Sequence, residues 1–278
     1  MIRRSRRLIL VLAALATLTG LSLVTTSPAD AGSRHSRSLS YVALGDSYAA
    51  GFGAGKYLND CYQSRRGYPA LLDRDTRASL RRNATCNGAT TQAVLTTQLS
   101  ILTSRTKLVT LTVGGNDLGF AAIATTCAPG PSVACQEAIN GALALLAPQP
   151  TGPSLLATRL ATTYGAVATA APRAEILVTG YPLLFEPPVP GQPNAATVLA
   201  FNNATAALNA TIRATVTASA ATGVEIAYVD VAAGFAGHGI GSKRPYLHAD
   251  GPDALHPTAR GYRVYEKALT RALVYHGQ

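Results

Sequence analysis

The sequence predicts an α/β fold, a parallel sheet with helices on both faces. Two observations lead there. Short apolar or β-branched runs that stop at Gly, Asp or Pro alternate with longer stretches whose apolar residues recur at helical spacing, as in successive βαβ units. Beyond an N-terminal segment, the 278-residue chain shows no internal repeat and no second composition regime, so residues 32–278 read as one domain.

The N-terminal segment comes first. Arg3, Arg4, Arg6 and Arg7 head an apolar run from Leu8 to Val24, followed by Ala29-Asp30-Ala31. A basic head, a short apolar stretch and small residues at a cleavage position make a secretory signal peptide, with the cut expected after Ala31. A membrane anchor needs about 20 apolar residues, more than this run supplies. Ser5-Arg6-Arg7-Leu8-Ile9 weakly resembles a twin-arginine signal, and no cysteine follows closely enough for a lipid anchor. Residues 32–39 are a polar, basic lead-in.

Tyr41-Val-Ala-Leu44 reads as a strand that turns sharply at Gly45-Asp46-Ser47, and residues 49–64 as a loop over the strand ends. Tyr68 to Leu80 and Ala89 to Leu102 read as helices. Lys107 to Val113 is β-branched and stops at Gly114-Gly115, a buried strand. Short helices follow over 118–148, then a helix from Leu155 to Ala171. A strand from Ala174 to Thr179 is broken by Gly180-Tyr181-Pro182, and a loop carries Pro187, Pro188, Pro190 and Pro193. An alanine-rich helix spans Ala195 to Ala221, a strand Val224 to Val229, and a long loop 234–255. The last helix runs from Pro257 to Tyr275.

The formal net charge is +10. Arg65, Arg66, Arg74, Arg77, Arg81 and Arg82 cluster against Asp73 and Asp75, either a solvated helical face or an attraction to anionic surfaces such as phospholipid. No aromatic run accompanies them, which argues against a single-stranded nucleic-acid groove. The four cysteines lie in the exported part, where disulfides are the rule. Of three possible pairings, Cys61–Cys86 with Cys127–Cys135 is expected, each bridge adding about 2–4 kcal/mol. Metal binding is the rival, but no Cys-x-x-Cys spacing occurs and no histidine is near.

Gly45-Asp46-Ser47 is by itself a turn, since all three residues favour turns. It lies at the carboxyl end of a strand, where open parallel sheets bind ligands. Serine becomes a nucleophile only beside an oriented base. Of His35, His238, His248, His256 and His276, two lie at the termini, while His256 sits in Asp253-Ala-Leu-His256-Pro257. An acid three residues before a histidine can fold back beneath it and accept from one ring nitrogen, leaving the other for Ser47. Pro257 holds His256 extended and is favoured in the first turn of a helix. Backbone and side-chain donors for an oxyanion stand at three further points: Ser47 N–H, Gly88 N–H and the Asn116 amide. Asp46 is read as shaping the turn, Asp117 as a loop anchor and His238 as packed structure. The Asn-Ala-Thr triplets at Asn83, Asn203 and Asn209 are chance matches in Ala/Thr-rich sequence.

Together, Gly-Asp-Ser47, Gly88, Gly-Gly-Asn116-Asp and Asp253-x-x-His256, in this order, resemble the four blocks of the SGNH (GDSL) hydrolases. The likeness extends to Cys61-Tyr-Gln-Ser-Arg-Arg-Gly-Tyr-Pro69, Gly180-Tyr-Pro182 and Asp230-Val-Ala-Ala-Gly-Phe-Ala-Gly-His238, and is nearest to secreted bacterial lipases and phospholipases. It implies a flavodoxin-like three-layer α/β/α sandwich with a central parallel sheet. It also implies hydrolysis of lipid or small acyl esters through an acyl-serine, with Ser47 as nucleophile, His256 as base and Asp253 orienting it, and neither metal nor cofactor. Some relatives replace that acid by a backbone carbonyl. Relatives often carry a third disulfide near position 241, here Gly241, and a Trp in place of Tyr246. Transient contact with lipid interfaces, no nucleic-acid partner and a monomer are expected. The rival readings are an acetyl esterase acting on polysaccharide and a non-catalytic secreted module. The α/β-hydrolase signature Gly-x-Ser-x-Gly is absent.

Overall fold

The computed structural model describes residues 38–275 apart from 75–77, 128–129, 131 and 190. The expectations for residues 1–31, His35, Asp75, Arg77, Pro190 and His276 lie outside the described residues. Five strands pair in the order β2-β1-β3-β4-β5, all parallel. They are β1 (Leu39–Gly45), β2 (Ala78–Asn83), β3 (Leu108–Thr112), β4 (Glu175–Thr179) and β5 (Ile226–Val229). This is the doubly wound order of flavodoxin-like folds, whose direction of winding reverses between β1 and β3.

The central strands are continuous apolar or threonine runs because both of their faces are covered. All of β3 is buried, as are residues 41–45 of β1 and 176–179 of β4. The hydroxyls this buries find one another: Tyr41 with Thr110 at 2.6 Å, Tyr68 with Thr112 at 2.9 Å, and Thr112 with Thr179 at 2.6 Å. One helical layer holds α2 (Tyr68–Arg74) against α8 (Ala259–Tyr275). The other holds α6 (Leu155–Ala170) against α7 (Ala195–Ala221) and α3 (Thr91–Ala93), which runs on as a widened turn to Gln98. The four-residue α1 (Ser47–Ala50) follows β1, and α4 (Phe120–Cys127) and α5 (Val133–Leu146) follow β3. Disulfides join Cys61 to Cys86 and Cys127 to Cys135, the expected pairing. No helix among the described residues is long and apolar enough to cross a membrane.

Three expectations need correction. The helix expected over 68–80 stops at Arg74, and Ala78–Asn83 is a strand. Ala-Ser-Leu-Arg-Arg-Asn has no β-branched residue and pairs on one side only, so neither propensity nor alternation marks it. Arg81 and Arg82 are exposed on this sheet edge, where charge discourages further strand pairing, and not on a helical face. The second helix begins at Thr91, capped by the Thr90 side chain, two residues after Ala89. Pro257 precedes the last helix: it pairs with Leu247, and Thr258 receives the Gly261 N–H at 3.4 Å where the helix begins.

Candidate active site

The site stands at the carboxyl ends of β1 and β3, where the sheet's winding reverses. Gly45 closes β1 with φ +124, and a side chain there would run into the Thr112 carbonyl. Only glycine lets the chain turn this tightly against β3. Gln98, buried on the widened turn after α3, satisfies both Gly45 backbone groups, its Oε1 accepting from N–H at 2.8 Å and its amide donating to C=O at 3.0 Å. Asp46 caps α1, accepting the Tyr48 N–H at 2.9 Å. Ser47 is thereby the first residue of α1, 5% exposed.

Ser47 Oγ lies 2.8 Å from His256 Nε2, and His256 Nδ1 lies 2.9 Å from the Ala254 carbonyl. A carbonyl can only accept, so the proton sits on Nδ1 and Nε2 is free to accept from the serine hydroxyl. Burial pushes the imidazole below the ordinary histidine pKa, while the Ala254 carbonyl and the Asp253 charge pull it upward. Phe52 stands edge-on to the ring at 4.7 Å and Tyr48 is tilted against it at 5.2 Å.

Asp253 does not orient His256 through its carboxylate. The Asp-x-x-His spacing does close a turn, but through the backbone: His256 N–H donates to the Asp253 carbonyl at 3.1 Å. Leu255 adopts a left-handed conformation, φ +66, and the oxygen left beneath the imidazole is that of Ala254. The Asp253 carboxylate instead accepts the Tyr57 hydroxyl at 3.0 Å, and that hydroxyl accepts the Gly53 N–H at 2.9 Å.

The three expected oxyanion donors line one cavity of about 870 Å³ with Ser47 and His256. Among the described residues no protein acceptor takes the Ser47 or Gly88 N–H. One Asn116 amide proton goes to the Ala89 carbonyl at 3.0 Å, which holds the side chain beside the Gly88 turn and leaves its second proton for a ligand. Asp117 ties the same two loops together, accepting the Thr91 N–H at 2.9 Å and hydroxyl at 2.6 Å. Cys61–Cys86 anchors the Gly88 turn from the other side. The cavity continues between α4 and α7 along Phe120, Ala124, Val198, Phe201 and Leu208. Among the described residues no group of three or more His, Cys, Asp or Glu stands together to hold a metal.

His238 stacks on Tyr246 at 3.7 Å and bonds the Arg244 carbonyl at 2.9 Å, a structural role. Asn209 is buried and bonds both backbone groups of Tyr181, which removes it as a glycan acceptor in the folded chain. Sequence reasoning assigned nothing to Gln98, Tyr57, Tyr181 or His248. His248 Nε2 lies 2.8 Å from the Gly53 carbonyl and fastens the histidine loop to the loop after α1. Each of these acts on a segment tens of residues away or more, except Tyr57 on Gly53, so no local period announces it.

Residues 43–264 match the GDSL-like lipase/acylhydrolase family. Lipase 1 of Streptomyces coelicolor is 36% identical over 261 residues, covering 91% of this chain and 91% of that protein. The crystal structure of phospholipase A1 from Streptomyces albidoflavus superposes with a TM-score of 0.75 at 35% identity, over 84% of this chain and 99% of that one. The extracellular lipase of Streptomyces rimosus gives 0.75 and 35%, over 84% of this chain and 100% of that one.

Proposed function

This chain belongs to the GDSL-like lipase/acylhydrolase family and is a carboxylic ester hydrolase of the lipase kind, and from that premise we propose how its own residues carry the reaction. Ser47 Oγ attacks the ester carbonyl carbon as its proton passes to His256 Nε2. The carbonyl oxygen, now an anion, is held by Ser47 N–H, Gly88 N–H and the Asn116 amide. Collapse expels the alcohol, which takes the proton from Nε2 and leaves the acyl group on Ser47. Water then attacks the acyl carbon with His256 as base, and the carboxylic acid leaves as Ser47 regains its proton. The imidazolium formed twice in the cycle is steadied by the Ala254 carbonyl on Nδ1–H, with the Asp253 charge acting from a distance.

The observation that carries this reading is the 2.8 Å bond from Ser47 Oγ to His256 Nε2, with the ring's other nitrogen on a carbonyl. Ser47→Ala tests it: hydrolysis of a p-nitrophenyl ester should fall at least about 10⁴-fold with the melting temperature unchanged. Appreciable remaining turnover would remove Ser47 as nucleophile.

Lipid acyl esters are favoured over polysaccharide acetyl groups because the cavity wall away from Ser47 is mostly aliphatic and aromatic, with Thr125, Thr197 and Thr205 interspersed. A rate that peaks at acetyl in a series from acetyl to stearoyl esters, phospholipid included, would reverse that preference. Contact with a lipid surface is supported by exposed Leu58 and Tyr62 on the loop after α1, followed by exposed Arg65 and Arg66. Export directed by residues 1–31 is supported by the extracellular lipase among the similar structures, and cleavage after Ala31 with a monomeric product is part of the same proposal, resting on the sequence alone.

A further inference from the structure

Tyr181 enters no step of that scheme, yet it touches both halves of the site that Ser47 and Asn116 form. The chain leaves β4 through Gly180-Tyr181-Pro182, and Asn209 of α7 pins the Tyr181 backbone, accepting its N–H at 2.8 Å and donating to its carbonyl at 2.7 Å. The side chain is buried. Its hydroxyl donates to Asp46 Oδ2 at 2.5 Å and accepts the Gly115 N–H at 3.1 Å. Asp46 is the residue before Ser47, and Gly115 the residue before Asn116. One oxygen atom therefore joins the nucleophile turn to the loop that carries the amide donor. Gly115 permits this approach, since a Cβ there would come 3.3 Å from Tyr181 Cζ.

Packing does not require that hydroxyl. The ring sits edge-on to Tyr48 at 5.0 Å, a contact phenylalanine would keep. Placing a carboxylate and a phenol in the core is unfavourable relative to an apolar pair of the same shape, because both are desolvated. Burial lifts Asp46 to a pKa of about 7 despite its hydrogen bonds to Tyr181 and Tyr48. The fold carries this burden between the turn that holds Ser47 and the loop that holds Asn116.

We propose that Tyr181 is a positioning residue for ester hydrolysis, holding the Ser47 turn and the Asn116 loop at the separation that the tetrahedral intermediate needs. The proposal rests on the roles assigned above to Ser47 and Asn116. The anion is absent from the bound ester and develops only on the way to the tetrahedral intermediate, so loosening this separation affects kcat and leaves KM nearly unchanged. Displacement of a reacting group by about 1 Å is worth up to about 10²-fold in rate.

The test is Tyr181→Phe in the full chain, assayed on a soluble short-chain p-nitrophenyl ester and against a boronic acid that mimics the tetrahedral adduct. We expect kcat about 10–100-fold lower, KM within about threefold of the parent, and boronic acid affinity reduced in step with kcat. The melting temperature should stay within about 5 °C. A kcat within about twofold of the parent, a loss confined to KM, or an unchanged boronic acid affinity would overturn the proposal. Asp46→Ala removes the oxygen that accepts the hydroxyl, so it cuts the same link from its other end and decides the matter if Tyr181→Phe does not fold: the same kinetic pattern supports the proposal and its absence overturns it. If neither variant folds, the hydroxyl serves the fold and the proposal fails. Ser47→Ala, run in parallel, separates the two readings. Turnover by that variant removes the nucleophile itself, whereas an inactive Ser47→Ala beside a full-rate Tyr181→Phe removes only the role of Tyr181.

Discussion

Ser47 and Asn116 stand at the ends of β1 and β3, two paired strands whose residues 41–45 and 108–112 are all buried, whereas His256 hangs on the stretch 236–258, which holds no helix or strand. The first half of the site is placed by a sheet ladder and by layers of side chains on both faces. The second is placed by a few individual bonds: the Tyr48 hydroxyl to the Leu255 carbonyl at 2.5 Å, His248 to the Gly53 carbonyl, Tyr57 to Asp253, and the backbone pairing of His248 with His256. Where position is shared among many contacts, trimming one side chain removes that side chain's own part, the amide donor at Asn116 or the link between two loops at Tyr181, and leaves the strand ends in place. Where position rests on few bonds, chemistry and placement are lost together.

Asn116→Ala makes the largest break in this contrast. Its loop stays fastened by Asp117 to Thr91 and by Tyr181 to Gly115. The variant should therefore lower kcat about 10²–10³-fold, as loss of one oxyanion donor does, while thermal melting barely moves. A loss smaller than about threefold would take Asn116 off the list of donors. A large fall in melting temperature would show that the sheet-end half depends on single side chains as much as the histidine loop does.

The same contrast separates what the sequence discloses from what it hides. β1, β3 and β4 were legible because burial on both faces demands an unbroken apolar run, and the longest helix among the described residues has the expected bounds of Ala195 and Ala221. β2 was not, because an edge strand paired on one side tolerates Arg81 and Arg82 where a buried strand would not. The Ser47 turn was legible because Gly-Asp-Ser at a strand end is a local pattern. The spacing Asp253-x-x-His256 correctly indicates a turn, but the acceptor of Nδ1 is the Ala254 carbonyl, in a turn where Leu255 takes a left-handed conformation that the sequence does not announce. Gln98 and Tyr181 bond partners 53 and 135 residues away, distances over which a single sequence carries no periodic signal.

The pH profile asks which half governs the acid limb. A base must be neutral to act, so kcat/KM falls as pH drops through the pKa of His256. A free histidine would place that fall near about 6.5. Burial lowers the His256 value, so activity should persist into mild acid, with the midpoint of the limb below about 6.5 when kcat/KM is measured across pH. A midpoint close to the pKa of about 7 expected for Asp46 would transfer control to the sheet-end half, with protonation under the Tyr181 hydroxyl as the limiting event.

Asp253→Asn should give the smallest effect and is the sharpest test of the histidine loop. If Asp253 were the partner of Nδ1, an amide in its place would favour the wrong tautomer and depress kcat by several powers of ten, about 10⁴-fold where this has been seen in serine triads. With Nδ1 on the Ala254 carbonyl, the tautomer does not depend on residue 253, and an amide oxygen can still accept from the Tyr57 hydroxyl. The expected loss in kcat is therefore no more than about threefold, the scale of removing one partly screened charge. The sign of the accompanying pH shift is also fixed. The negative charge of Asp253 raises the His256 pKa, so removing it should move the acid limb slightly lower still. A loss beyond about 100-fold would mean that the carboxylate leaves Tyr57 and takes Nδ1 during turnover, making the loop's resting bonds a different set from its working ones.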